Sequence, residues 1–291
     1  MIEAKATSAT PPFVPVPTMP PAGPQLVYQR ATRALAQANV PFLVGGGFAL
    51  AQYTPVVRNH KDLDVFVRPE HLRVAFEALR RADFEVVLPY PHWLGKALQG
   101  DVFVDIIFSS GNGVALVDDE WFAHAIEGEV LGQQLPLCPP EEVIWSKAFV
   151  CERERFDGAD VQHIIRDCGG KLDWERLLRR FGPHWRVLLA HLVLFGFAYP
   201  GERDRVPSWV METLERRLAT EHEPEAGAGG VCRGTLLSRE QYLVDLEQLG
   251  YIDGRVLSPK VHMSLDDIDH WTKAIPGRSE SDDESAARGG G

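Results

Sequence analysis

The sequence predicts an α/β protein of the α+β kind, a small mixed sheet with its helices followed by a mostly helical C-terminal region. Three observations predict it. Short apolar runs alternate with helical periods from Gln25 to Cys138. The pair Pro139-Pro140 then opens a stretch of helical texture only. The chain has 291 residues, 45% hydrophobic and 24% charged, enough for one large or two small globular domains with a sizeable core.

The elements follow in order. Residues 1–24 repeat proline, alanine and threonine and read as a disordered tail, because proline removes backbone donors and resists helix. They show neither a basic start nor a continuous apolar core, so no signal peptide is expected. From Gln25 to Val40 the positions Leu26, Val27, Ala31, Ala34 and Leu35 fit an amphipathic helix, which Pro41 stops. Phe42 to Val44 is a short buried strand, Gly45 to Gly47 a turn, and Phe48 to Tyr53 a helix. Leu63 to Val67 is the next strand, and Pro69 opens a helix to about Arg81 with Leu72, Phe76 and Leu79 inward. Phe84 to Leu88 and Val102 to Phe108 are strands, and Ser109 to Gly113 is an ordinary loop by composition. Residues 129–138 read as a hairpin around Gly132. Beyond Pro140 helices are expected over 140–153, 158–168, 172–181, 184–198 and 207–220, with Glu141 and Glu142 favourable at the first helix's start. Residues 222–235, rich in glycine and alanine, read as a flexible loop. Ser238-Arg239-Glu240-Gln241 has the spacing of a capping box for a helix ending at Gly250. The expected organisation is a tail at 1–24, a first domain at 25–138, a helical domain at 139–273 and an acidic disordered tail at 274–291.

Composition excludes several classes. Cys138, Cys151, Cys168 and Cys232 form no C-x-x-C pair, which reads as reduced thiols of a cytoplasmic protein without a zinc site. The longest apolar stretch, Trp185 to Pro200, is broken by Arg186 and His191 and falls short of the ~20 residues of a membrane helix. It reads as core, His184 and His191 included. The net charge of -11 argues against a general nucleic-acid binder.

The chemistry lies in three short pieces: Val44-Gly45-Gly46-Gly47, Asp62-Leu63-Asp64 and Val104-Asp105-Ile106. Side chains on a strand alternate, so Asp62 and Asp64 share a face while Leu63 and Val65 face the core. Two carboxylates this close repel unless a cation lies between them, and magnesium suits carboxylate and phosphate oxygens. Asp105 sits between apolar neighbours, an unfavourable place for a carboxylate without a partner.

With these residues in this order, the chain resembles the nucleotidyltransferase superfamily with the polymerase-β palm-like fold. Its pattern is a hydrophobic residue with a glycine pair, a D-h-D strand and a third h-D-h strand. Gly47 is an extra glycine, which leaves the pair's register open by one residue. The stretch from Val44 to Leu50, with Arg58 to Asp64, looks like the stand-alone bacterial members, among them lincosamide and aminoglycoside nucleotidyltransferases and toxin-like relatives of abortive-infection proteins. The resemblance covers about residues 25–168, and makes 25–138 the nucleotidyltransferase catalytic domain.

The resemblance implies transfer of a nucleoside monophosphate from an NTP to an acceptor, releasing pyrophosphate. It implies two magnesium ions held by Asp62, Asp64 and Asp105, with Asp105 as the base, its apolar setting raising its pKa. Gly45, Gly46 and Gly47 would let the backbone approach the phosphates. Arg58 and Lys61 flank the D-x-D strand and are candidate counter-charges. Related proteins carry a lysine where Lys147 stands, which makes it a phosphate contact. Arg153, Arg155 and Asp160 behind it read as a structural ion-pair cluster, and His60 as positioned rather than a proton shuttle. Residues 91–96 either line the acceptor pocket or cap the core.

A small hydroxylated acceptor is preferred. A tRNA end would need a basic groove, for which Arg176, Arg179, Arg180, Arg186, Arg203 and Arg205 are available, but the net acidity disfavours it. A toxin-like enzyme acting on tRNA or protein, and a non-catalytic nucleotide-binding module, are the alternatives. No membrane association is expected, and a protein partner is left open.

Overall fold

The computed structural model describes residues 22–56, 62–221, 229–258 and 260–276. The first helix, α1, spans Ala22–Gln37, three residues earlier than expected. Pro24 falls in its first turn, where a missing amide costs no hydrogen bond. A two-residue strand β1 (Leu43–Val44) leads directly into α2 (Gly46–Tyr53). Then come β2 (Leu63–Phe66), a 3-10 turn at Pro69–His71, α3 (Leu72–Arg81), β3 (Glu85–Tyr90), β4 (Leu94–Gln99), β5 (Val102–Ile107), α4 (Asp119–Ala123), β6 (Ile126–Val130) and β7 (Gln133–Leu137). The helical half holds α5 (Pro140–Lys147), α6 (Gly158–Cys168), α7 (Trp174–Phe181), α8 (Trp185–Ala198) and α9 (Ser208–Thr220). It ends with a strand pair, β8 (Val231–Cys232) and β9 (Ile252–Asp253), and three short helices, α10 (Leu243–Glu247), α11 (Gly254–Leu257) and α12 (Leu265–Lys273).

Among the described residues, seven strands form one mixed sheet in the order β3-β4-β5-β2-β1-β7-β6. The pair β2 and β5 is parallel, whereas β4 and β5 are antiparallel. The alternation of the central strands sorts their side chains. Leu63, Val65, Val104, Ile106 and Ala97 are fully buried on one face, in a cluster with Tyr28, Ala31 and Leu35 of α1 and Ala75 and Leu79 of α3. On the opposite face Phe66 stacks on Trp121 of α4 at 5.2 Å between ring centroids. A second cluster there joins Leu43, Leu50 and Trp121 to Val143, Ile144, Ile164, Leu177 and Leu188. The helices after Pro139 therefore pack directly on the sheet side that carries the aspartates.

Several elements differ from expectation, each for a local reason. The chain between Pro91 and Gln99 is not one long loop, because β4 occupies its second half. The first helix after Pro140 ends at Lys147, six residues early, where Ala148 caps it and Cys151 bridges to Phe156. Within α3, Ala75, Ala78 and Leu79 are buried, while Leu72 and Phe76 pack at the margin. Ser238 does accept the Gln241 amide at 3.1 Å, but it caps a turn rather than a helix: the short α10 begins only at Leu243, with Tyr242 as its uncapped start. A full capping box occurs instead at Ser264 and Asp267, heading α12. Residues 229–235 of the expected loop carry β8 and a 3-10 turn, and Ile275, assigned to the tail, is buried. Residues 1–21, 222–228 and 277–291 of the expected tails and loop lie outside the described residues.

Candidate active site

Asp64 and Asp105 are register partners on the parallel strands β2 and β5. Lys96 on β4 is the register partner of Asp105. Partners on neighbouring strands share a face, so Lys96, Asp105 and Asp64 form a row across three strands. Asp62 lies just ahead of β2, and carboxylate oxygens of Asp62, Asp64 and Asp105 lie within 4.8 Å of one another. The three aspartates picked out in the sequence thus converge in space.

The glycine turn abuts them. The Gly45 amide donates to the Asp64 carbonyl at 3.0 Å. Gly46 has φ +53°, and a Cβ on it would stand 1.6 Å from Asp64 Oδ2. Only glycine tolerates both the left-handed backbone and that approach. Gly46 and Gly47 form the first turn of α2, whose amides have no intrahelical acceptor and no side-chain cap. The open register is thereby resolved: Gly45 closes the strand, and Gly46 and Gly47 start the helix.

The crowding shows in the electrostatics. Burial first, then Asp62 and Asp105, push the Asp64 carboxyl up to about 7, against the opposing pull of Lys147 and Arg155. Burial also raises Asp105, but there the Lys96 hydrogen bond opposes it. The rise expected for Asp105 from its apolar setting is present, and Asp64 is raised as well, to about 7. Two like charges face Asp64, while Asp105 has an ammonium beside it. Tyr28 of α1, a residue that the sequence pattern does not single out, is raised by burial and then by the same three aspartates.

The other expected residues divide. Lys147 ends α5 and is bound by Asp157 at 2.8 Å and Asp160 at 3.0 Å. Arg155 pairs with Asp157 at 2.9 Å, so Lys147 belongs to the ion cluster expected for its neighbours, within electrostatic range of Asp64. Among the described residues Arg153 pairs only with Glu154, at the surface. Arg58, Lys61 and His60 lie outside the described residues. Residues 91–93 and the loop at 109–113 are both covered by α12: Trp271 meets Tyr90, His92 and Trp93 edge-on, and a Cβ on Gly111 would stand 2.9 Å from its ring. His92 Nε2 lies 3.1 Å from the Gly111 carbonyl, which ties the two loops together. His184 and His191 are buried, and burial lowers the pKa of each.

Most of the arginines offered for a basic groove are committed elsewhere. Arg176 is buried between Glu141 at 2.5 Å and Glu142 at 2.7 Å. Arg180 binds Asp118 at 2.6 Å and Glu142 at 3.1 Å. Arg186 pairs with Glu221, Arg205 with Glu202, and Arg203 donates to the Gly196 carbonyl. Glu141 and Glu142 do stand in the first turn of α5, as expected, and are also buried as the anionic half of this network.

Three carboxylates clustered beside free helix-start amides form a hard oxygen donor set, the kind that suits magnesium and phosphate. A family profile described as uncharacterised nucleotidyltransferase matches residues 26–191, more than half of the chain. The chain belongs to this nucleotidyltransferase family. This nucleotidyltransferase is similar to solved structures at low identity. One is the antibiotic-resistance factor ANT(2'')-Ia, at 19% identity and TM-score 0.41, covering 57% of this chain and 95% of that one. Another is the lincosamide antibiotic adenylyltransferase LnuA, at 13% identity and TM-score 0.35, covering 48% and 94%. A third is JHP933 from Helicobacter pylori, at 11% identity and TM-score 0.36, covering 69% and 97%. No curated protein sequence matches it. Among its described residues no helix is long and apolar enough to cross a membrane.

Proposed function

We propose that the protein transfers a nucleoside monophosphate from an NTP to a hydroxyl of a small molecule, with magnesium, releasing pyrophosphate. The observation that carries this is the convergence of Asp62, Asp64 and Asp105 against the Gly46 backbone. The acceptor oxygen attacks the α-phosphorus, the α–β phosphoanhydride bond breaks, and pyrophosphate takes the electron pair. Asp62, Asp64 and Asp105 would hold two magnesium ions, which would neutralise the triphosphate and stabilise the attacking and leaving oxygens. Gly45, Gly46 and Gly47 bring backbone amides up to the phosphates without a side chain in the way. Asp105 accepts the proton of the attacking hydroxyl. Lys147, with Arg155, supplies positive charge within electrostatic range of Asp64.

A small acceptor is supported over tRNA by charge. The net charge is -11, and Arg176 and Arg180 are spent on buried glutamates rather than lining a groove. The test incubates each radiolabelled NTP and magnesium with small-molecule, tRNA and protein fractions, using wild type and Asp64→Ala. Label in the small-molecule fraction with wild type alone is the expected result. Label in tRNA or protein replaces the acceptor by that of the toxin-like alternative. Nucleotide binding without any label identifies a non-catalytic module, and equal labelling by both proteins overturns the site.

A further inference from the structure

Lys96 has no role in the reading above, yet it stands inside the carboxylate row. Its Nζ donates to Asp105 Oδ1 at 2.6 Å and lies 4.1 Å from the centroid of the Phe103 ring. Among the described residues, Asp105 is its one hydrogen-bond partner. The ammonium is thus clamped between an anion and an aromatic face, on a central strand whose neighbours on both sides are paired. A lysine held this way is a fixed charge, unlike a lysine on a free surface stem.

Two consequences follow from the geometry. With Oδ1 accepting from Lys96, Oδ2 is the Asp105 oxygen that keeps both lone pairs for a cation. A permanent positive charge also sits beside the place where a cation would bind, and it opposes that cation. We propose that Lys96 is the built-in counter-charge of this site: it holds Asp105 to one-oxygen coordination and keeps cation affinity low, so that triphosphate must contribute to holding the metal. Lys96 is then a positioning residue acting through Asp105. This rests on the cation-site reading above, and the test separates the two.

The probe is Mn2+ alone, titrated into the full chain and followed by electron paramagnetic resonance of the free ion. Wild type, Lys96→Met and Lys96→Arg are compared, with thermal melts to establish folding. Methionine keeps the stem and removes the charge; arginine keeps the charge and the hydrogen bond. A unit charge and a divalent ion separated by on the order of 6 Å in a water-like dielectric interact by roughly one tenfold step in affinity, so Lys96→Met is expected to lower the Mn2+ dissociation constant roughly tenfold. Lys96→Arg is expected to bind Mn2+ as wild type does. A second readout is pyrophosphate release from a mixture of the four NTPs with water as the acceptor. There Lys96→Met is expected to lower kcat with little change in KM, because Asp105 is no longer aimed. Mn2+ affinity unchanged or weaker in folded Lys96→Met overturns the role of Lys96 and leaves the cation site standing. Absence of Mn2+ binding in both wild type and folded Lys96→Met overturns the cation site and this inference together.

Discussion

Two groups of charges in this protein are built on opposite rules. In the helical half, Glu141, Glu142 and Asp118 are interleaved with Arg176 and Arg180, so each buried charge faces its opposite. On the sheet, Asp62, Asp64 and Asp105 face one another, with Lys96 at one end of the row only. Even the matched group is costly. Burial raises the Glu142 carboxyl in spite of two arginines beside it. An ion network of that kind serves to fix how α5 and α7 sit rather than to add stability. A cluster of like charges held together against repulsion fits the cation site proposed above. On that proposal the contrast is one between structural charges and functional ones.

The comparison can be broken most sharply at its functional end. Asp105→Asn is expected to lower labelled-nucleotide transfer by about 10²–10⁴-fold, the usual contribution of a general base, with little loss of melting temperature. At the structural end, Arg176→Met should do the reverse. It leaves Glu141 buried without its arginine and Glu142 with Arg180 alone, and is expected to cost about 3–5 kcal/mol in urea unfolding. Transfer per folded molecule should persist. Loss of catalysis without loss of stability in the second variant would erase the distinction.

Gly46→Ala tests whether the turn belongs to the functional group. The left-handed backbone and the collision with Asp64 are expected to cost on the order of 2 kcal/mol. Mn2+ binding should weaken with it. The smallest effect concerns pH. In the folded, chelated protein Asp64 titrates near 7, above its value in an unfolded chain, so the folded state holds that proton more tightly. Its contribution is complete below about pH 4 and is lost as the pH rises to about 7. Asp64→Asn cannot ionise, and should gain roughly 1–2 kcal/mol over wild type at pH 8 in chelator. Excess magnesium should shrink the difference, because it stabilises the ionised carboxylates of wild type. Urea midpoints at pH 5 and 8, with chelator and with magnesium, measure both effects.

Much of this was legible in the sequence, for physical reasons. The D-x-D spacing places two carboxylates on one face whatever lies around them, and Val104 and Ile106 announce a strand around Asp105. Glycines at 45–47 announce a turn. Lys96 was not legible, because Gly95 and Lys96 interrupt the apolar alternation that marks β4. The glycine there is required by Phe76, whose ring a Cβ would approach to 2.5 Å, and packing of that sort leaves no periodic trace. The buried network was not legible either. Arg176 and its partner Glu142 are 34 residues apart, and each alone reads as an ordinary surface charge. The docking of α12 was hidden by its polar sequence, in which Trp271 and the neighbouring His270 both pack on Tyr90.

The row of Lys96, Asp105 and Asp64 is defined by strand register and by nothing longer. A slip of one residue between β2 and β5 would turn Asp105 into the apolar layer beneath α1 and α3. Such a chain would bury a charge in its core and lose its place in the fold. A poorly aligned version of this site is thus removed by folding itself, and cation binding becomes a readout of whether the sheet has zipped in the right alignment.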